Sequence, residues 1–413
     1  MFFLYNIFIF LYVLAIRTAS LFNEKAKLWV CGRKDILQEI EKTLSAGRDK
    51  KKTAWFHCAS LGEFEQGRPV IEAFRKAKPD YLIFLTFFSP SGYEIRKNYP
   101  GADYVFYLPA DYPRVAEKFI NLLSPDIVFF IKYEYWYNYL AILKKRRIPT
   151  YMVSAIFRTS QPFFKWYGFW FRKQLKNLSW FFVQDENSEE LLRKIGIEQV
   201  SVSGDTRFDR VCSIAEKTNP VKAIDDFCVG SSVLLAGSTW PEDEKILLSF
   251  IQKNNPGFKF IIAPHEVNND RIEELMLRIG QGGLRYSQLG KSNIREAHIL
   301  VIDSIGLLAS LYQYAYIAYI GGGFGVGIHN ILEPAAFGVP IIFGPNYNRF
   351  REARELIHQG GAISINNEEE FTKAFNLWTK GPGEHNRASE VCSTYVTSHN
   401  GATAKILNHL HVQ

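Results

Sequence analysis

The sequence contains little sulfur and no pair of cysteines spaced for a metal. Its five cysteines are scattered along the chain without a CxxC pair: Cys31, Cys58, Cys212, Cys228 and Cys392. An odd number of widely spaced cysteines predicts neither a disulfide framework nor a zinc site. We therefore expect the chain to work in a reducing compartment.

Basic residues are absent ahead of the apolar run at the N-terminus, where a signal peptide would need them. Residues 1–16, MFFLYNIFIFLYVLAI, are apolar apart from Asn6. Basic residues follow the run instead: Arg17, Lys25, Lys27, Arg33 and Lys34. A spanning helix needs about 20 residues, which residues 18–22 would complete. We predict a membrane anchor over residues 1–22 with the rest of the chain in the cytoplasm. A buried N-terminal helix is the alternative.

Acidic residues are absent from residues 135–184, which are also rich in aromatic side chains. Nine basic residues lie in this stretch: Lys144, Lys145, Arg146, Arg147, Arg158, Lys165, Arg172, Lys173 and Lys176. Within it, FFKWYGFWF mixes cations and rings as a nucleic-acid or a membrane surface does. A solvated basic face would explain the charges but not the rings. Because an anchor is already predicted, we favour contact with membrane lipids over nucleic acid.

The remaining chain alternates short apolar runs with amphipathic stretches, a pattern typical of α/β units with parallel sheets. The first series of predicted strands is Thr53–His57, Tyr81–Thr86, Tyr104–Tyr107, Ile127–Ile131, Thr150–Ser154 and Trp180–Gln184. The second series is Ser232–Ala236, Lys259–Ala263, Ile299–Ile302, Tyr316–Ile320 and Pro340–Phe343. Between them, the polar residues 211–229 predict a linker. The fold class is thus α/β, with Rossmann-like domains at 23–210 and 230–413.

A glycine-rich turn, GGGFGVGIHNILEP from Gly321 to Pro334, follows one strand of the second series. Glycines let backbone N–H groups at a helix N-terminus approach and bind an anion. The spacing matches neither a P-loop nor a clean dinucleotide fingerprint. Glu333 can accept hydrogen bonds from ribose hydroxyls, or it can belong to a helix cap with Asn330. The spacing alone leaves both interpretations open.

Three further motifs follow strands of the second series: AGSTW (236–240), APHE (263–266) and DSIG (303–306). Open α/β sheets bind ligands at the carboxyl ends of their strands. Each motif alone is ordinary loop chemistry. Together with the glycine-rich turn, they predict a ligand site at one sheet edge.

The first series carries three candidate catalytic residues. Glu63 in HCASLGE lies at a strand-to-helix turn, where a carboxylate can act as a general base or can complement the helix dipole. Glu134 in KYEYWYN has the same ambiguity. Arg207 in GDTRFD can neutralise a phosphate or can be a surface arginine.

In combination these motifs resemble the 3-deoxy-D-manno-octulosonic acid (Kdo) transferases of lipopolysaccharide biosynthesis, over nearly the whole chain. The resemblance implies two Rossmann-like domains of the GT-B glycosyltransferase type. It also implies an inverting, metal-independent transfer of Kdo from CMP-Kdo to the disaccharide bisphosphate precursor of lipid A, without a cofactor. The location implied is the cytoplasmic side of a bacterial inner membrane.

By the same resemblance, Glu63 is the base that deprotonates the acceptor, and Glu134 and Arg207 stabilise the transition state. The residues implied to bind CMP are Pro264, His265, Gly306, Leu307, Leu308, Asn330, Ile331, Leu332 and Glu333. The chain departs from the common family pattern in several places. Relatives often carry arginine at the position of His265 and an acid at that of Leu307. Lys132 and Tyr137 replace an acid and a proline.

Two other functions share parts of this pattern. A sugar-nucleotide epimerase can have the same architecture and a GDT-type junction, but it has no use for an anchor or for a basic, aromatic surface. A sugar-nucleotide-binding membrane protein without catalysis is the other alternative.

Overall fold

The computed structural model describes residues 1–47, 51–254, 257–289 and 297–410. Two compact units divide the chain. The first contains Met1–Arg210 together with Asn400–Gln413, and the second contains Val211–His399.

The first unit is built on a parallel sheet. Within the described residues, its seven strands are β1 (Lys52–Cys58), β2 (Tyr81–Phe87), β3 (Tyr104–Tyr107), β4 (Ile127–Ile131), β5 (Thr150–Ala155), β6 (Trp180–Val183) and β7 (Val200–Val202). Their order in the sheet is β3-β2-β1-β4-β5-β6-β7, with every pair parallel. This order, which reverses direction beside β1, is that of a Rossmann-like fold.

Helices connect these strands and precede them. Their bounds are α1 (Phe2–Ala19), α2 (Glu24–Cys31), α3 (Ile36–Gly47), α4 (Leu61–Ala77), α5 (Pro90–Arg96), α6 (Pro113–Leu123), α7 (Tyr137–Lys145), α8 (Phe169–Leu175), α9 (Glu186–Lys194) and α10 (Thr206–Lys217). Local chemistry sets several of these ends. Pro113 starts α6 where no N–H is needed, and the Asp185 carboxylate caps α9 by accepting a hydrogen bond from the Ser188 N–H.

Alternate residues of β1 enter two different cores, because successive side chains of a strand point to opposite faces. Trp55 packs edge-on against Phe119, Phe130 and Tyr139 on one face. Phe56 stacks on the other face at 4.5 Å from the ring of Phe129. Both faces are covered, as a parallel sheet requires.

The second unit repeats the arrangement. Within the described residues, its seven parallel strands are β8 (Val233–Thr239), β9 (Lys259–Pro264), β10 (Gly283–Arg285), β11 (Ile299–Val301), β12 (Ile317–Ile320), β13 (Ile341–Phe343) and β14 (Ala362–Ser364). Their order is β10-β11-β9-β8-β12-β13-β14. The helices of this unit are α11 (Lys222–Cys228), α12 (Pro241–Asn254), α13 (Asn269–Ile279), α14 (Leu308–Leu311), α15 (Leu332–Ala336), α16 (Arg351–Gln359), α17 (Glu368–Lys380) and α18 (Pro382–His399).

The predicted fold class is confirmed: two Rossmann-like units follow an apolar N-terminal helix. All eleven predicted strands form, with ends shifted by at most three residues. Three strands were not predicted, namely β7, β10 and β14. Each has three residues and lies at a sheet edge, where the apolar signal is weakest.

The C-terminal segment differs from the predicted domain at 230–413. Its last helix, α19 (Ala402–His409), packs against α4 of the first unit. The Asp209 carboxylate accepts hydrogen bonds from the N–H groups of Gly401 and Thr403 at 2.7 and 2.9 Å, and Ile406 enters the core of the first unit. A short amphipathic helix carries no sign of which core it joins. The predicted linker, residues 211–229, is largely helical in α10 and α11.

Helix α1 is the one helix in the described part of the chain that is long and apolar enough to cross a membrane. It lies against the first unit along one stripe, formed by Tyr5, Ile9, Val13 and Ile16. Its opposite side is exposed. The largest exposed apolar side chains there include Phe3 (75%) and Phe8 (62%).

The first glycines of the glycine-rich turn lie directly against the backbone at the end of β8 and just after β13. A Cβ on Gly321 would lie 2.3 Å from the Ser238 carbonyl oxygen, and one on Gly323 would lie 2.6 Å from the backbone of Gly344. Gly322 has φ +88°, in the left-handed region. The first and third glycines are thus required by packing between strand ends, and the second by backbone conformation.

We expect Gly321→Ala to destabilise the second unit by about 1–3 kcal/mol, because the contacting atoms are backbone and cannot move aside. Thermal unfolding would measure the loss, and hydrogen exchange in residues 317–343 would locate it. Gly383→Ala is the matched control, since a Cβ there meets nothing within 4 Å. Equal stability of the two variants would contradict the packing argument.

Candidate active site

Charged side chains of the first unit gather after strands β1, β4, β5 and β7. Glu63 lies in the first turn of α4, Lys132 follows β4, Arg158 follows β5, and Asp205 and Arg207 follow β7. Lys132 Nζ is 4.0 Å from Glu63 Oε1. Because these strands are parallel, residues that are far apart in sequence meet at the carboxyl edge of one sheet.

Glu63 is held from two sides. The Ser60 hydroxyl donates a hydrogen bond to its carboxylate, and Lys132 supplies the adjacent positive charge. Its side chain remains 19% exposed, so a substrate can reach it. A carboxylate that only complements a helix dipole needs neither partner. The geometry therefore suits a general base.

Lys132 has an unusual backbone and an unusual electrostatic environment. Its φ is +70°, a conformation that is rare for a residue with a long side chain. Burial lowers the pKa of its ammonium group, the carboxylate of Glu63 acts to raise that pKa, and the guanidinium of Arg207 acts to lower it. Lys132 thus lies between the candidate base and a second cation.

Arg207 is oriented by the nearly buried Asp205. Its Nε donates to Asp205 Oδ2 at 2.8 Å, and its backbone N–H donates to Oδ1 at 2.9 Å. Such a pair fixes the guanidinium in position while leaving part of it exposed. The arginine is therefore a structured element of this edge.

Glu134 belongs to a neighbouring, more buried network. Its Oε2 is 3.0 Å from His57 Nε2 and accepts a hydrogen bond from Trp136 Nε1 at 2.5 Å. His57 is fully buried, and its Nδ1 is 2.8 Å from Thr86 Oγ1. The partners of Glu134 are therefore the rings of His57 and Trp136 rather than the cations around Glu63.

In the second unit, a buried carboxylate organises the glycine-rich turn. Asp243 in α12 accepts hydrogen bonds from the N–H groups of Gly322 and Trp240, both at 2.9 Å, and from the Tyr319 hydroxyl at 2.7 Å. It therefore ties AGSTW to the turn. Leu308 of the segment after DSIG packs beside Gly237, so these motifs meet at one sheet edge, as predicted.

Three rings form a stack at this edge. The ring of His265 lies 4.8 Å from that of Trp240 and 4.4 Å from that of His329. Trp240 Nε1 is 3.2 Å from His329 Nε2. Burial, and then the proximity of His265, lower the pKa of His329 to about 4. The His329 ring of this stack is therefore uncharged at neutral pH.

The helix after the glycine-rich turn, α15, contains only Leu332–Ala336, and its N-cap is Ile331. The Asn330 side chain accepts a hydrogen bond from the Leu332 N–H at 3.1 Å and donates one to Glu333 at 3.0 Å. Asn330 therefore orders the segment just before the helix. Ile331 and Leu332 are buried, so only their backbone can face a ligand.

The remaining predicted nucleotide-binding residues lie near strand ends. Pro264 is buried at the end of β9, whereas His265 beside it is exposed. Gly306 is exposed with φ +95°, and Leu307 precedes the four-residue helix α14. The edge therefore offers backbone groups and rings more than charged side chains.

Residues 36–210 match the family described as 3-deoxy-D-manno-octulosonic-acid transferase (kdotransferase). The chain is similar to the 3-deoxy-D-manno-octulosonic acid transferase of Aquifex aeolicus, with 28% identity over 327 residues, which are 78% of this chain and 84% of that protein. It is also similar to the transferase of Chlamydophila psittaci, with 25% identity over 75% of this chain and 73% of that one. These matches confirm the resemblance to the Kdo transferases.

The matched relatives make the chain a glycosyltransferase. A solved UDP-GlcNAc 2-epimerase from Neisseria meningitidis has a TM-score of 0.61 and 17% identity, covering 88% of this chain and all of that one. This likeness shows that the transferase and the epimerase share a fold. The matches in sequence, by contrast, are to transferases.

Several residues of the transferase site were not singled out from the sequence. Ser60 lies three residues before Glu63, a spacing that can signal a pair at a helix start, and Asp205 lies two residues before Arg207. Lys132 was noted only as a departure from the family pattern. Asp243 and His329 lie next to recognised motifs, and their contacts come from distant parts of the chain.

The buried ring of His329 makes the stability of the transferase depend on pH. Unfolded, this histidine binds a proton near pH 6.5; folded, it binds one only near pH 4. Between these values the unfolded chain holds more protons, so stability falls as the pH drops from 6.5 towards 4. We expect His329→Gln to flatten this part of the curve of melting temperature against pH.

His358→Gln is the control, since that histidine is exposed at the end of α16. A pH dependence of the His329→Gln protein identical to that of the wild type would show that another group titrates.

Proposed function

We propose that this protein transfers Kdo from CMP-Kdo to a hydroxyl group of the lipid A precursor, a tetraacyl disaccharide bisphosphate, with inversion and without a metal. The observation that carries the proposal is the Glu63 carboxylate, held by Ser60 and Lys132 at the carboxyl edge of the first sheet. Similarity to the Kdo transferases supports the choice of sugar and of reaction class.

In the proposed reaction, Glu63 takes the proton from the acceptor hydroxyl. The oxygen then attacks the anomeric carbon of Kdo from the face opposite CMP, and the bond from that carbon to the phosphate oxygen breaks. CMP leaves with the electron pair, and one displacement inverts the anomeric centre. Lys132 places a positive charge 4.0 Å from the Glu63 carboxylate.

Arg207 is proposed to stabilise the negative charge that develops on the departing CMP. Asp205 holds the guanidinium in one orientation, which reduces the cost of positioning it in the transition state. We assign Glu134 a positioning role in the same step, because its carboxylate is already bonded to His57 and Trp136. It shapes the wall beside Glu63.

The donor is proposed to bind to the second unit. The exposed ring of His265, which stacks on the neighbouring rings of Trp240 and His329, gives a face for the base or ribose. Backbone groups of Gly306–Leu308 and of Asn330–Leu332 would bind the phosphate and ribose, with Glu333 at the ribose hydroxyls. Without the arginine that is frequent at the position of His265, the phosphate depends more on backbone N–H groups.

We expect Glu63→Gln to reduce Kdo transfer by about 100-fold or more, because the amide cannot accept the proton. Binding of CMP, measured by calorimetry, should stay within about twofold, since the donor contacts lie in the other unit. Glu72→Gln, on the same helix, is the control and should keep full activity. Transfer that survives Glu63→Gln would assign the base to another residue.

We propose that α1 attaches the protein to the cytoplasmic face of the inner membrane while lying in the plane of the interface. Its 18 residues span about 27 Å, and its contact stripe from Tyr5 to Ile16 covers most of that length. A helix that crossed the bilayer would expose this stripe to lipid. The outward side chains such as Phe3 and Phe8 suit an interfacial helix.

The attachment lies beside the candidate active site. Tyr12 of α1 stacks near Phe88, and Phe88 contacts Trp136, whose indole donates to Glu134. A lipid-linked acceptor in the membrane would therefore approach the edge of the sheet that carries Glu63. This proximity supports a lipid acceptor over a soluble one.

Aromatic residues after β5 extend the exposed apolar side of α1. Trp166 is 91% exposed and Phe169 is 73% exposed, and Trp170 contacts Phe2 with ring centroids 5.6 Å apart. Arg172, by contrast, is engaged, since it donates to the backbone carbonyls of Phe163 and Lys165. Arg33, counted among the flanking cations from the sequence, lies over the ring of Trp29 at 3.9 Å and bonds backbone carbonyls.

We expect Lys173→Glu to weaken binding to phosphatidylglycerol vesicles about fivefold to tenfold, because each cation near an anionic surface contributes about 1 kcal/mol. Arg172 is left intact to preserve the turn. Lys222→Glu, an exposed site in the second unit, is the control. Vesicle flotation gives the measurement, and equal binding by both variants would remove this surface from the membrane contact.

A further inference from the structure

A cavity of about 540 Å³ lies within the first unit, beneath α1. Its walls come from α1, α2, the start of α3 and the segment between β3 and α6. This volume is in the range of pockets that hold small molecules. The cavity is separate from the cluster around Glu63, and the proposed reaction does not use it.

Buried polar contacts hold α1 in place as one wall of the cavity. The Tyr5 hydroxyl donates to the buried carboxylate of Asp111, and Asn138 Nδ2 donates to Asn6 Oδ1 at 2.9 Å. Asp111 also accepts the N–H groups of Asn138 and Tyr139, so it is fixed from below. A helix that only needed to reach the membrane would gain nothing from Tyr5 and Asn6. Their pairing indicates a helix docked in one position.

The cavity is apolar inside and basic at its rim. Val13, Trp29, Ile36, Leu37 and Val115 contribute apolar side chains to its lining. The exposed cations of the rim are Arg17, Lys34 and Lys118, and the one acid among the lining residues is Asp35. Lys118 Nζ also lies 3.8 Å from the carboxylate of Glu41, outside the lining. An apolar interior below an excess of positive charge matches a molecule with an apolar tail and an anionic head.

We infer that this cavity binds one acyl chain of an anionic glycerophospholipid, with the phosphate of the lipid at Arg17, Lys34 and Lys118. The inference rests on the proposed membrane attachment, because the helix that forms the wall also carries the exposed apolar side chains. A bilayer lipid can enter from that side without crossing water. A bound lipid would join α1 and α6 and would fix the height of the protein at the membrane.

The test uses phosphatidylglycerol with a photoactivatable diazirine near the end of one acyl chain, incorporated in phosphatidylcholine vesicles. With full-length wild-type protein, mass spectrometry should locate crosslinks in residues 29–37 and 109–118. Val115→Trp fills the cavity and should reduce these crosslinks at least tenfold while vesicle flotation is unchanged. Ile95→Trp, an exposed apolar site on α5, is the matched control and should crosslink as the wild type does.

The headgroup is tested by competition. Unlabelled phosphatidylglycerol should compete for the wild-type crosslink at least tenfold better than phosphatidylcholine, and the Arg17→Gln/Lys34→Gln protein should lose this preference. Leu37→Trp blocks the opposite wall and serves if Val115→Trp fails to fold by circular dichroism.

Three results would overturn the inference. The first is crosslinking of the Val115→Trp and Leu37→Trp proteins at the wild-type level. The second is wild-type crosslinks confined to outward residues such as Phe3, Phe8 and Trp166. The third is equal competition by the two lipids, which would exclude an anionic headgroup. If the wild-type protein does not float with vesicles, the proposed attachment of α1 to the membrane is refuted. Crosslinking in micelles that contain the same lipid then decides whether the cavity binds an acyl chain. None of these measurements depends on Kdo transfer.

Discussion

Parallel pairing of the strands in the first sheet is the constraint on which the candidate active site depends. Parallel strands send every following loop to the same edge, so Glu63 after β1, Lys132 after β4 and Arg207 after β7 become neighbours. The same edge receives α1, through Phe88 after β2 and Asp111 after β3. The candidate catalytic residues and the contacts of α1 therefore lie at one edge of one sheet.

Three aspartates, of which Asp111 and Asp243 are buried and Asp209 is partly buried, connect parts of the chain that are far apart in sequence. Asp111 joins α1 to α7, Asp209 joins α10 to α19, and Asp243 joins α12 to the glycine-rich turn. Each carboxylate accepts backbone N–H groups, which replace the water lost on burial. Burial raises the pKa of all three, and that of Asp111 reaches about 6. The folded chain therefore protonates these carboxylates more readily than the unfolded chain does, so a falling pH favours the folded state through them.

The abundant aromatic residues serve two different purposes. Trp55, Phe56 and Phe84 are fully buried and fill both sides of the first sheet. Trp166 and Phe169 are exposed beside the outward face of α1. Amino-acid composition could not separate these two groups, because a buried aromatic ring and an exposed one have the same hydrophobicity.

The sequence by itself determined the order of strands and helices, because the spacing of apolar residues and the positions of glycines are local properties. That order predicted both Rossmann-like units and the sheet edge of the second unit at which the motifs meet. The motifs also selected Glu63, Glu134 and Arg207. Only the tertiary structure decided that Lys132 lies beside Glu63 and that α19 joins the first unit. It also decided that Asp111 docks α1. Each of these depends on contacts between distant residues, to which local pattern is blind.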